Sequence, residues 1–193
     1  GSLLIYTALE LRLAIEQLMF TIILVARGKA DPATLRACSR KDGLLRVLAE
    51  VAPQYALKCR FSAVLVSFHP EIPQGAEWDL KVLQRYHAAL SALCHAQQVL
   101  RGMGALPEQW DARLGLLEEI HAFLAAGMRK DTAVLSFKGA TPQTLRLWRK
   151  YAKGGISLQD VRKQFARVKP LVVNQQAQPR PYPARERFSA PVA

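Results

Sequence analysis

The chain has 193 residues, half of them hydrophobic and 22% charged, a balance that suits one folded domain with a small appendage and excludes wholesale disorder. Its formal charge of +12 is unevenly placed: residues 1–128 hold 13 Lys/Arg against 12 Asp/Glu, whereas residues 129–193 hold 14 against 3. Such asymmetry points to an anionic partner, either nucleic acid, with RNA favoured, or an acidic protein; the alternative is a solvated basic end that binds nothing specific.

Leu3–Arg27 reads as one long helix, apolar nearly all round. At about 100° per residue, Leu4, Leu11, Ala14, Ile15, Leu18, Met19, Ile22 and Val25 share a broad face, and Tyr6, Leu13, Phe20 and Leu24 form a second strip. Apolar surface this wide predicts burial against several partners, making this helix the spine of a bundle. Glu10, Arg12, Glu16 and Gln17 interrupt the run, so a membrane span is not expected. Glu10, Gln17 and Thr21 lie between the two strips, while Arg12 and Glu16 fall on another side. A buried Glu10 would require a cation or several donors, as a structural ion pair or as one wall of a site.

Gly28 ends this helix, and Asp31–Pro32 supplies an N-cap and a first-position proline for a short piece whose main apolar residue is Leu35. From Asp42, the spacing of Leu44, Leu45, Leu48 and Val51 predicts a helix that stops before Pro53. Leu57, Phe61, Val64, Leu65 and Phe68 fit a further helix better than a strand, since no strand partner is near. A polar, proline-bearing connection over 69–77 leads to a second long helix, from Trp78 or Asp79 to Arg101. Its core face carries Val82, Leu83, Tyr86, Leu90, Leu93 and Leu100; His87, Ser91, His95 and Gln98 line up on another. Pro107 opens the next helix, with Trp110, Leu114, Leu117, Ile120, Phe123 and Leu124 inward and a stop at Gly127.

Beyond Gly127 the character changes. Residues 130–138 form a connection with an extended segment. Thr141–Pro142 starts the basic helix TPQTLRLWRKYAK, whose Leu145, Leu147, Trp148 and Tyr151 can dock on the bundle. Gly154–Gly155 breaks it, and Ser157 with Asp160 makes a capping-box start for LQDVRKQFARV. Residues 171–193, with four prolines and three arginines, read as an extended tail. The expected fold is therefore all-α: a bundle of about five helices over 1–128, a basic helical pair over 129–170 packed on it, and a flexible tail over 171–193.

Cys38, Cys59 and Cys94 are odd in number and lack metal-like spacing, which fits reduced thiols filling the core of a cytosolic protein. The Gly1–Ser2 opening carries no basic n-region, so no signal peptide is expected. His87 and His95 would stand about 12 Å apart along one helix and cannot share a metal, and Ser91 fills the slot a zinc helix would use. No metal or other cofactor is expected. An imidazole and an arginine suit metal-free proton transfer on a phosphodiester, and Arg85 is the nearest arginine.

ALELRLAIEQLMF over 8–20 and LKVLQRYHAALSALCHAQ over 80–97 resemble the HEPN superfamily of prokaryotic helical domains. The resemblance implies a helical, often dimeric protein of toxin–antitoxin or phage-defence systems, many members being metal-independent ribonucleases with Arg–His motifs paired at a dimer cleft. Family members space the Arg and His by four to six residues. Here one residue separates Arg85 from His87 and nine separate it from His95. Carried over, the activity would use His95, with Arg85 as phosphate clamp and Glu10 or Ser91 orienting the imidazole. Independently of that, Arg146, Arg149, Lys150, Lys153, Arg162, Lys163 and Arg167 cluster on the C-terminal pair as phosphate contacts, where Trp148 or Tyr151 could stack on a base. The first reading is an intracellular protein that binds RNA or another nucleic acid through this basic end; the alternatives are a metal-independent ribonuclease and a protein–protein module of immunity or antitoxin type. The amount of apolar helix makes a homodimer the default expectation.

Overall fold

The computed structural model describes residues 2–69, 77–95, 107–129 and 140–166, and among them every regular element is helical. Among the described residues, five helices form the body: α1 (Ser2–Arg27), α2 (Pro32–Cys38), α3 (Gly43–Val66), α4 (Leu80–Cys94) and α5 (Pro107–Arg129). Two more, α6 (Pro142–Ala152) and α7 (Leu158–Ala166), form the basic pair. The all-α expectation holds. No helix of the described residues is long and apolar enough to cross a membrane.

Local chemistry sets several boundaries. Asp31 Oδ1 accepts the Thr34 N–H at 2.9 Å, capping α2, and Pro32 follows where its missing N–H costs nothing. The buried member of this piece is Thr34, not Leu35, which is 46% exposed. Thr34 is held by polar bonds: Arg27 Nη1 donates to its hydroxyl, which donates to Asp31 Oδ2. α3 does not stop before Pro53 but runs through it to Val66. Pro53 sits exposed and forfeits one backbone hydrogen bond, while Val51 and Tyr55 on the opposite side are buried. Packing of that apolar face outweighs the local break.

The main core joins four helices. Ile15, Met19 and Ile23 of α1 meet Leu48 and Tyr55 of α3, Leu83 and Leu90 of α4, and Leu117 and Ile120 of α5. Aromatic edges close it, with Phe123 against both Trp78 (5.5 Å) and Tyr86 (5.3 Å). α1 is buried on its broad face, but the N-terminal half of its second strip is not covered: Tyr6 is 60% exposed and Leu13 44%, while Phe20 and Leu24 are half-buried. Glu10, Gln17 and Thr21 are consequently exposed as well, so no buried acid exists at Glu10. Gly127 does not end α5. A Cβ there would fall 1.9 Å from the Trp78 ring, so the glycine is a notch that admits the indole.

A second core lies at the far end of α3. Phe61, Val64 and Leu65 of that helix pack with Leu147 and Tyr151 of α6 and Val161 of α7. α3 therefore belongs to both cores, and it, more than α1, ties the molecule together. Lys58 marks the junction. It is buried, donates to the Val25 carbonyl at the negative end of α1 (2.7 Å), and lies 6.0 Å from the Trp148 ring centroid. Burial holds its ammonium pKa below the ordinary lysine value.

Candidate nucleic-acid interface

The basic pair is built by strong local signals. Thr141 caps α6, its hydroxyl accepting the Thr144 N–H at 3.3 Å. Gly154 adopts φ +72°, a conformation side chains rarely tolerate, and with Gly155 it closes the helix. The Gly154 N–H donates to the Tyr151 carbonyl and the Gly155 N–H to that of Lys150, both at 2.9 Å, which is the Schellman pattern. Ser157 and Asp160 form a reciprocal capping box at α7: Asp160 N–H donates to Ser157 Oγ (3.1 Å), and Ser157 N–H to Asp160 Oδ2 (3.0 Å).

Leu147 and Tyr151 of α6 are buried on α3, and Trp148 meets Phe61 edge-on at 5.3 Å. Tyr151 stacks on the same Phe61 at 5.8 Å, and Phe165 of α7 approaches it at 6.5 Å. This apolar face fixes the rotation of α6 and turns its cations outward. Arg146, Arg149 and Lys150 fall within an arc of about 100°, opposite the buried side. With Gln143, Leu147 and, from α7, Gln164, these three line a groove of about 340 Å³.

Residues 140–166 contain six cations and a single acid, Asp160. Arg146, Arg149, Lys150, Lys153, Arg162 and Lys163 are all exposed, and none forms an ion pair among the described residues. Asp160 is committed to its cap; the Ser157 side chain and N–H hold its carboxyl below the ordinary value, with a smaller contribution from Lys163. Among the described residues, no acid of the body pairs with this surface. Not every cation shares the groove: Arg162 and Lys163 sit about 160° and 100° around α7 from Gln164, and Lys153 lies just past the end of α6. Arg167 falls outside the described residues. Gln143 and Gln164 were not anticipated, although Gln143 precedes Arg146 and Lys150 at i+3 and i+7, a spacing that puts all three on one side.

Within one chain, the residues of the other expected site stand apart. Glu10 is exposed on α1, and His95 is exposed just beyond α4, in extended backbone (φ −70°, ψ 122°). α4 ends at Cys94, short of the expected Arg101, with His95 as its C-cap in extended backbone; the rest of the expected stretch, residues 96–101, falls outside the described residues. Arg85 leans over the Tyr86 ring (5.1 Å) toward Glu119 at 3.7 Å, and the Tyr86 hydroxyl donates to that same carboxylate at 2.5 Å. Ser91 donates to the His87 carbonyl, away from His95. Among the described residues, no hydrogen bond or ion pair joins any two of Glu10, Arg85 and His95.

An acid does meet His87. Glu16 Oε1 accepts from His87 Nε2 and from Arg12 Nε, each at 2.9 Å, across the α1–α4 contact. All three side chains keep partial access to solvent, at 15% for His87, 29% for Glu16 and 33% for Arg12. Burial pushes the Glu16 carboxyl up, but the hydrogen bonds from His87 and Arg12, reinforced by the charge of each, outweigh it and hold the group below its ordinary value.

Comparison with family models, with characterised proteins and with solved structures returns no match for this chain.

Proposed function

We propose that this chain is an intracellular, HEPN-like helical protein that binds nucleic acid, RNA first, through its basic helical pair. The observation that supports the reading is the surface of α6 and α7: six exposed cations with no ion pair among the described residues, and a single acid within residues 140–166, already engaged in its cap. Arginine presents a planar fork that pairs two phosphate oxygens at once, and the two amides beside it add neutral donors. Arg149 and Lys150 also complement the negative end of α6, a structural role worth only about 0.3–1 kcal/mol each at the surface. That role calls for cations in the last turn. It does not call for Arg146, or for a groove.

The test is binding of a generic RNA by fluorescence anisotropy across a salt series. Affinity is expected to fall steeply with added salt, and R146A/R149A/K150A is expected to weaken it at least tenfold at low salt. Salt-insensitive binding, or a triple variant that binds as the parent does, overturns the reading. If an acidic protein were the partner, complex formation would survive nuclease treatment.

A second reading, metal-independent cleavage of RNA, is favoured by one arrangement: an imidazole held by a carboxylate beside a guanidinium, at His87, Glu16 and Arg12. It replaces the expected trio of His95, Arg85 and Glu10. Purified protein would then degrade RNA in EDTA, and His87→Ala would abolish this. Intact RNA after long incubation leaves the cluster a structural one.

A further inference from the structure

We infer that the α6–α7 groove recognises the sugar–phosphate backbone of double-helical nucleic acid and does not read or stack on unpaired bases. The inference deepens the binding function proposed above and rests on it.

Proteins that grip single strands combine a cationic track with aromatic faces on which bases stack. The sequence offers Trp148 and Tyr151 for that purpose, but the fold spends both elsewhere. Tyr151 is buried and lies parallel to Phe61; Trp148 presses its ring on Phe61 and lies alongside Tyr151 at 6.2 Å. Both pack on Phe61 and neither lines the groove, which reaches the buried side of α6 only at Leu147. No aromatic residue is among those that line it: Gln143, Arg146, Leu147, Arg149, Lys150 and Gln164. What remains is a short cationic ladder with amides at its edges.

The ladder is dense. Arg146, Arg149 and Lys150 fall within about 6 Å along the axis of α6. A duplex carries one charge per about 1.7 Å of its axis, about twice the density of either strand alone, so three cations this close find more phosphates on a duplex. Base edges inside a paired helix need no stacking partner, which removes the one element the groove lacks.

The experiment compares the full chain with R146A/R149A/K150A on three probes of equal length: duplex RNA, duplex DNA and unstructured oligo-U. Affinity is measured by anisotropy from low to moderate salt, with tryptophan emission recorded alongside. Expected is a duplex bound at least about fivefold more tightly than oligo-U, with little change in emission. The slope of log K against log salt on a duplex should fall by about 2.7 in the triple variant, about 0.9 for each lost phosphate contact. Comparable affinity for the two duplexes places recognition in the shared backbone; a preference for duplex RNA places it in A-form shape. Oligo-U bound as tightly as duplex, with emission quenched, overturns this inference while leaving nucleic-acid binding intact. A duplex preference with an unchanged slope in the variant moves binding off the groove and also overturns it. Failure to bind any probe overturns the function itself.

Discussion

Single side chains decide two features of the body. Gly127 lies in the last turn of α5, where alanine would ordinarily favour the helix by up to about 1 kcal/mol. The Trp78 indole occupies the space its methyl would need, and Trp78 is pinned between that notch and Phe123. Overpacking therefore wins, and Gly127→Ala is expected to lower stability by about 1–3 kcal/mol in urea unfolding. Glu16 supplies a pH dependence with a defined sign. Its folded-state pKa lies below the unfolded value, so the stabilisation from His87 and Arg12 is present above the unfolded carboxyl pKa and is lost as pH falls through the folded one. The Glu16→Gln variant should be less stable than the parent at neutral pH, and the gap should close under acid. Urea midpoints at pH 7 and pH 3 check this; a gap that persists unchanged at pH 3 contradicts it.

At the scale of elements, the decisive one is α3, whose two ends serve different cores. Phe61 is its contribution to the second, fully buried and in ring contact with Trp148, Tyr151 and Phe165. Truncating it removes the common anchor of α6 and α7, at a cost of about 3–5 kcal/mol. In Phe61→Ala, amide exchange should accelerate across residues 142–166 while the α1 and α4 amides of the main core keep their protection. Equal acceleration everywhere would mean that the two cores unfold as one unit.

Over the whole molecule, what the sequence revealed follows the range of each signal. The helix starts at Asp31–Pro32, Thr141–Pro142 and Ser157 and the break at Gly154–Gly155 are written within four or five residues, and each was legible. Interior contacts were not. Pro53 and Gly127 carry the marks of helix ends, yet a distant apolar partner overrides the first and a distant indole explains the second. The same reason exchanged Glu10 for Glu16. A polar residue between two apolar strips is buried only if both strips are covered, and nothing along α1 announces that Tyr6 and Leu13 stay exposed. The candidate interface was legible as a set of cations, because charge asymmetry is a property of composition. Which three converge, and that Trp148 and Tyr151 pack against the body, depends on Phe61 some 90 residues earlier.

That separation along the chain has a consequence during synthesis. Phe61 and Val161 are 100 residues apart, so at about 5–20 residues per second the ribosome delivers the cover for the distal end of α3 about 5–20 s after α3 itself. Through that interval the nascent chain displays a bare aliphatic and aromatic ridge at Phe61, Val64 and Leu65, a surface suited to a chaperone's grip, until the two basic helices arrive to cover it.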